Sequence, residues 1–391
     1  MSVRAFGPRD RQRAWTVTLP LIEAGQALGA FDGAGRLIGT ALYHDMRQWW
    51  LGREIPMAGV AGVKVAPEYR GKGAGRALMT ELTTLMAGRG YPLSALYAAT
   101  MPIYRQQGWE LAGARYTAKF PIRSLRGLDE PSTDIEIRRA GPADAAAVID
   151  VLGRVHGLAR DCGPITFAEP VVRDWLANQD SFCYLADDGF LRYQWHGGDQ
   201  ELYVDKLVAA SARTTRALVS VLASHSSVAS RVLAQVSPAD QLWWLLREQD
   251  GDIAERYSWM LRILDAPAAI AARGFPPVDV EVPLLLRGET TSPRTPLVLR
   301  GETSPRTPLV LTDGLWQLSV SSAGKARLSR TTSPALPGTV IELGARGLAA
   351  LYAGTPVATL RRAGLATGGT AESDALLDAA FAASSFMLDD F

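Results

Sequence analysis

The sequence predicts a mixed α/β and α+β protein built from three units. Three observations lead there. Within residues 36–98 a strand-like run closes on a glycine-rich turn, opens a helix and returns to strand. From about residue 135 a second stretch repeats that order of elements without the glycine turn. From near Val278 a third stretch strings short strands together and ends in helical segments.

In the first unit, residues 36–43 (RLIGTALY) read as a strand after the turn Asp32-Gly33-Ala34-Gly35, and residues 60–65 (VAGVKV) as another. From Ala74 the apolar positions Ala77, Leu78, Leu82, Leu85 and Met86 fall on one helical face, which Gly88 and Gly90 close. Residues 92–98 (PLSALYA) return to strand. Residues 124–134 (SLRGLDEPSTD) are polar and turn-rich and read as a linker. The units are accordingly placed at 1–130, 131–277 and 278–391.

The second unit opens with a strand at 135–138, and Pro142-Ala143-Asp144 then starts a helix running to about Val155. Strand patterns at 184–186 and 191–195 flank Asp187-Asp188-Gly189, a hairpin signal. A strand at 202–208 and a helix at 214–225 follow. In the third unit, residues 286–311 hold a near-direct repeat, RGETTSPRTPLVL followed by RGETSPRTPLVL. Two copies are too few for a solenoid, and their prolines keep them out of a central strand, so they read as a duplicated surface loop or hairpin. Strands at 315–320, 325–330 and 339–343 and helices at 348–352 and 372–383 complete the unit.

Composition narrows the function. The 391 residues carry 41 basic and 40 acidic side chains, and a net charge of +1 gives no whole-molecule attraction to nucleic acid or anionic membrane. With two cysteines, Cys162 and Cys183, there is no disulfide framework, and no Cys or His pair has zinc spacing. No apolar run has membrane-span length, and Arg9, Asp10 and Arg11 interrupt any signal-peptide core. A cytoplasmic protein is expected, with no metal.

The most informative stretch runs from Val63 through Lys64, Val65, Ala66-Pro67-Glu68-Tyr69, then Arg70-Gly71-Lys72-Gly73-Ala74-Gly75-Arg76. Gly71, Gly73 and Gly75 remove side chains where backbone N–H groups would approach an anion, and a helix start follows directly. Arg70, Lys72 and Arg76 add positive charge suited to phosphates. Read alone, such a turn is equally a plain strand-to-helix connection. It lacks the Gly-Lys-Ser/Thr of a Walker loop and differs from Gly-x-Gly-x-x-Gly.

The combination resembles the Arg-x-x-Gly-x-Gly loop of GCN5-related N-acetyltransferases (GNAT), with Arg70, Gly73 and Gly75 matching after a Val-x-Val-x-Pro strand. The succession Gly90-Tyr91-Pro92, Ala95-Leu96-Tyr97-Ala98, Ile103-Tyr104 and Gly108-Trp109 narrows the likeness to the Eis (enhanced intracellular survival) acetyltransferases. So do Ala41 to Met46 ahead of Pro56 to Gly59, Leu261 to Ala269, and Leu376 to Ala382 leading to a terminal phenylalanine. The resemblance implies tandem GNAT domains, the second degenerate, followed by a sterol-carrier-protein-like α+β domain. It implies acetyl-CoA as co-substrate, with Val63, Lys64 and Val65 along the pantetheine arm and Arg70 through Arg76 at the pyrophosphate. It also implies a homohexamer. The second unit offers only Ala209-Ala210-Ser211-Ala212-Arg213 at the corresponding place, so it should not bind coenzyme A.

Acetyl transfer to an amine needs a base for the nitrogen and an acid for the leaving thiolate. The resemblance places the acid at Tyr104, whose phenol, with an ordinary pKa near 10, suits a thiolate of comparable basicity; as one of 11 tyrosines it is otherwise a packing residue. It places the base at the terminal carboxylate, here that of Phe391. The apolar tail Phe386, Met387, Leu388 and Phe391 suggests docking rather than fraying, and Asp389 and Asp390 would draw a cationic amine. His44 is the alternative base. Trp49 and Trp50 precede a loop and could wall the acceptor site with aromatic faces. The reading is an acetyl-CoA-dependent N-acetyltransferase for a cationic small-molecule amine, aminoglycosides leading. A protein lysine or natural-product amine is the rival acceptor, and a non-catalytic lipid- or protein-binding module the rival class.

Overall fold

The computed structural model describes residues 18–126, 128, 135–197, 200–288, 298–300, 313–332 and 338–391. Residues 18–23 are helical, and strands β1 (Ala27–Phe31), β2 (Leu37–Trp50) and β3 (Arg53–Val65) follow. Helix α1 (Ala74–Gly88), β4 (Leu93–Tyr97), the one-turn helix α2 (Pro102–Arg105), β5 (Glu110–Pro121) and α3 (Ile122–Arg126) follow. Helix α1 forms where the periodicity placed it, burying Leu78, Met79, Leu82, Leu85 and Met86. Gly90 at φ 82° turns the chain out of it.

The next stretch holds β6 (Arg138–Arg139), α4 (Ala145–Ala159), β7 (Cys162–Thr166), α5 (Glu169–Ala177), β8 (Ser181–Ala186) and β9 (Gly189–His196). It continues with β10 (Glu201–Ala209), α6 (Ala212–Ala223), β11 (Arg231–Val236), α7 (Leu242–Leu245), β12 (Asp252–Ile263) and α8 (Ala266–Ala272). Asp187 and Asp188 form the two-residue turn of the β8–β9 hairpin. Ser211 caps α6 by accepting the Thr214 amide at 3.1 Å. The strand expected at 135–138 is only the two-residue β6, whose partner is β8.

The last stretch comprises β13 (Val280–Arg287), β14 (Val298–Arg300), β15 (Gly314–Val320), β16 (Ala326–Arg330) and β17 (Ile341–Gly344). After it come α9 (Ala345–Tyr352), α10 (Val357–Arg362), β18 (Ala366–Gly368), α11 (Ala371–Ala380) and β19 (Phe386–Met387). The repeat at 286–311 lies mostly outside the described residues. Its Val298–Arg300 segment pairs antiparallel with β1, as an edge strand.

Two sheets organise these elements. One has fourteen strands, its main path running β14-β1-β2-β3-β4-β12-β5-β11-β10-β9-β8-β6, with β7 on β2 and β19 on β5. The other has five, in the order β16-β15-β13-β17-β18. The strands of the first two units form one sheet, because β12 inserts antiparallel between β4 and β5 and β11 pairs with the far edge of β5, while their buried clusters stay largely separate. Trp50, Trp259, Phe275, Tyr352 and Phe381 share a single buried core, which ties the five-stranded sheet to the larger one.

Candidate active site

Strands β3 and β4 run parallel from Met57↔Leu93 to Val60↔Leu96, where their ladder ends. β3 continues to Val65 beside β2, whereas β4 stops at Tyr97. Past Leu96 the β4-side edge of β3 has no ladder partner among the described residues, an opening termed the V, and Val63, Lys64 and Val65 lie half-buried on its β3 arm. A strand that outruns its neighbour's ladder can present N–H and C=O groups to an amide-bearing ligand.

Beyond that arm the chain turns over Gly71 and Gly73, whose φ values of 75° and 85° lie in the left-handed region that disfavours any Cβ. Gly73 caps α1, and no side chain bonds the first amides of the helix. Those N–H groups, at the positive end of the helix dipole, make an anion seat. Around it, Arg70 and Lys72 are exposed, and Arg76 donates to the Gln106 Oε1 at 2.7 Å. A Cβ on Gly75 would stand 2.9 Å from Ile103 Cδ1, so the glycine is what lets α2 pack against the turn.

Helix α2 carries Tyr104, which is 8% exposed and meets Trp109 edge-on at 6.4 Å. Burial first, and the neighbouring Tyr257 second, push its phenol above the usual range. It keeps its proton across neutral pH, the state a general acid needs.

The C-terminal segment is threaded between β5 and β7. β19 lies parallel to β5 at Ala114 and Arg115, and Ser385 bridges to Cys162. Three glycines leave room for it. A Cβ on Gly113 would stand 2.4 Å from the Ser385 oxygen, one on Gly163 2.1 Å from the Phe386 oxygen, and one on Gly59 2.9 Å from the Phe391 ring. Lys206 of β10 forms an ion pair with Asp389, and the Tyr97 hydroxyl donates to the Asp389 carbonyl at 2.5 Å. Arg115 holds Asp390 at 3.0 Å.

Phe391 therefore comes to rest on β3 just before the V opens, its ring 5.6 Å from Tyr97. Tyr97 stacks on Tyr257 at 5.2 Å, with planes 8° apart, and Tyr257 is the neighbour that perturbs Tyr104. His44 pairs with Gly59 across the β2–β3 ladder, which puts its side chain on the face that Phe391 covers. Burial lowers the His44 pKa, so the ring is neutral near pH 7. The arrangement sets an anion seat, a protonated phenol and the segment carrying Asp389, Asp390 and Phe391 around one strand opening.

An acetyltransferase (GNAT) domain family matches residues 1–112, and a second acetyltransferase (GNAT) domain family matches residues 171–263. The N-acetyltransferase Eis of Mycobacterium tuberculosis is 30% identical over 294 residues, 69% of this chain and 70% of that protein. The chain belongs to the Eis family of GCN5-related N-acetyltransferases. A solved GCN5-related N-acetyltransferase from Kribbella flavida is similar over 100% of this chain and 94% of its own, with TM-score 0.89 and 41% identity. Eis1 from Mycobacterium abscessus superposes with TM-score 0.75 at 25% identity, covering 100% of this chain and 95% of that one.

The protein is thus an acetyltransferase with acetyl-CoA as co-substrate, which sets aside the reading of a non-catalytic binding module. The V and the glycine turn fit that co-substrate, an extended edge for its amides and an uncapped helix start for its pyrophosphate. Among the described residues no group of His, Cys, Asp and Glu could hold a metal, and no helix is long and apolar enough to cross a membrane.

Two expectations for the acceptor site fail. The pair does precede a turn, at Leu51–Gly52, but β2 extends to Trp50 instead of ending near Tyr43, so both tryptophans fall inside the sheet. Trp50 has no exposed surface; it donates to Gln48 and packs against Trp259 and Tyr352. Trp49 donates to Thr166 at 3.0 Å and lies over Gly153 and Gly157 of α4. Neither presents a face to an acceptor. The Asp389 charge is neutralised by Lys206 rather than offered to an amine, while Asp390 is 74% exposed at the rim beside Arg115.

Tyr97, Arg115 and Lys206 hold this Eis-family tail in place, with Tyr257 stacked on Tyr97, and none of them was assigned a role from sequence. Tyr97 lay in a strand already marked. The other three come together only once β12 lies on one side of β5 and β11 with β10 on the other. Cys162 and Cys183 are buried, burial raising both thiols, Cys183 to about 11. They are unsuited to nucleophilic chemistry.

Proposed function

We propose that the enzyme acetylates primary amines of a polycationic small molecule, with aminoglycoside-type antibiotics the leading class, by direct attack on the bound thioester. The observation that carries this reading is the seating of Phe391 against Gly59 and Tyr97 at the mouth of the V. A base there takes a proton from the acceptor ammonium, the resulting neutral amine attacks the thioester carbon to form the C–N bond, and as the C–S bond breaks Tyr104 gives its proton to the departing thiolate. The Phe391 α-carboxylate is the base in this scheme. Val63, Lys64 and Val65 line the pantetheine arm, Arg70 through Arg76 hold the pyrophosphate, and Asp390 contributes rim charge.

Boundaries near residues 130 and 277 divide the chain into an active GNAT domain, a degenerate one and a sterol-carrier-like domain that delivers the tail. Six copies assemble. A panel of amines, from aminoglycosides to lysine peptides, assayed for thiol release from acetyl-CoA tests the acceptor class. Turnover confined to peptides overturns it. Residues appended after Phe391 convert its carboxylate to a neutral amide, and activity should fall by about 10²-fold or more. Equal activity of C-terminally extended and N-terminally tagged protein removes Phe391 from the scheme.

A further inference from the structure

Two clefts flank the glycine turn. On the β2 side a cavity of about 540 Å³ is lined by Arg36, Glu68, Tyr69 and Lys72 among others. Arg36 there already donates to Asp32 at 2.8 Å and to the Tyr69 hydroxyl at 2.9 Å, and Glu68 adds a carboxylate.

Across α2 a second cleft, of about 310 Å³, opens between Arg105 to Gly108 and the start of α9. Its charged lining is Arg105, Arg287 and Arg346, with no carboxylate. Below it the 3%-exposed Glu110 serves two guanidiniums, Arg105 at 2.8 Å and Arg346 at 2.7 Å. Burial pushes the Glu110 carboxyl up, but the Leu111 amide and the two arginines outweigh it and hold the group below its usual range, fully ionised. Arg287 pairs with Glu342 at 2.9 Å on the surface. Asp313, whose Oδ1 accepts the Gly288 amide, also acts on Arg287, so three carboxylates balance the three arginines and only the lining itself is purely cationic. Gly344 and Gly364 line it, and a Cβ on either would meet nothing within 4 Å, so bare backbone faces the space.

The cleft adjoins the turn. Gln106 lines it and accepts from Arg76 at 2.7 Å, so one side chain separates the pyrophosphate seat from the three arginines. Beyond its pyrophosphate acetyl-CoA carries a ribose 3′-phosphate, a dianion that planar guanidiniums hold well. We infer that this cleft receives the 3′-phosphate of acetyl-CoA, so that Arg287 and Arg346 give the C-terminal region a share in co-substrate binding. The inference rests on the turn at 70–76 as the pyrophosphate seat.

Steady-state kinetics with acetyl-CoA and acetyl-3′-dephospho-CoA test it. In the unaltered enzyme the dephospho compound should raise KM by about ten- to hundredfold, the range of one or two charge-assisted contacts. In Arg287→Ala/Arg346→Gln that ratio should collapse towards one, the effect falling on KM rather than kcat. Arg287→Ala alone, at an exposed site, should reduce the ratio without disturbing Glu110. A ratio near one in the unaltered enzyme, or one preserved in the double variant, overturns the assignment. So does a ratio lost instead in Lys72→Ala, which would move the phosphate to the β2-side cavity. Unchanged acetyl-CoA binding in Gly73→Glu would defeat the pyrophosphate seat itself, a separate failure.

Discussion

Lys206 of β10 and Asp389 of the C-terminal segment form an ion pair with side chains only 4% and 9% exposed. Lys206 also lies 5.6 Å from the Trp175 ring and acts on the buried Asp205 carboxylate as well as on Asp389. A strand of the second GNAT match thereby grips the segment that comes to rest on β3.

Removing one partner of this pair should be costly and removing both should not. Lys206→Met leaves a buried carboxylate alone, a change that typically destabilises by about 3–5 kcal/mol. Lys206→Met/Asp389→Leu removes both charges and should recover most of that loss. Denaturant midpoints of the three proteins decide. A neutral single variant would mean that the pair does not hold the tail.

Gly113→Ala tests the channel without backbone strain, since Gly113 does not have a positive φ. Its Cβ would stand 2.4 Å from the Ser385 oxygen and 2.8 Å from Trp259 Nε1. The tail should be expelled and become open to carboxypeptidase. Transfer should drop by about 10²-fold or more, with acetyl-CoA affinity by calorimetry little changed. Gly33→Ala, where a Cβ would meet nothing within 4 Å, is the silent control.

Periodicity and turn chemistry carried α1, α4, α6, the β8–β9 hairpin and β15, β16 and β17 of the smaller sheet, because each is decided by residues within one window, while β13 and β18 went unread. The glycine turn and Tyr104 were legible for the same reason, and they lie together across Gly75 and Ile103. β12 was not legible. Its outer half is polar and exposed, from Asp252 to Tyr257, and only its last residues are buried, between β4 and β5. Trp49 and Trp50 misled for a related reason. A strand that runs seven residues past Tyr43 is fixed by its partners β3 and β7, not by local propensity.

Tyr104→Phe should leave acetyl-CoA affinity intact and lower kcat by about 10²–10⁴-fold, the usual loss for a general acid. Because the phenol is pushed above its ordinary value, the unaltered enzyme should show no alkaline loss of kcat from this group until beyond pH 10. A fall in kcat smaller than about threefold would return Tyr104 to a packing role.

His44 supplies a pH-dependent test of both stability and base assignment. Burial lowers its folded pKa below the ordinary imidazole value of about 6.5, so between that lowered value and about pH 6.5 the unfolded chain binds the extra proton. Stability therefore rises with pH through this window; the contribution is full above about 6.5 and is lost as pH falls. His44→Asn should flatten that part of the stability curve, while His225, whose pKa burial also lowers, leaves a residual slope. Measurement of unfolding free energy at pH 5 and pH 7.5 in both proteins gives the difference. The same variant separates the two candidate bases, because His44 and Phe391 share the face over Gly59. With the Phe391 carboxylate as base, His44→Asn should keep kcat within a few-fold. A loss of about 10²-fold, together with the disappearance of the acid limb of the unaltered enzyme's kcat profile, would transfer the role of base to His44.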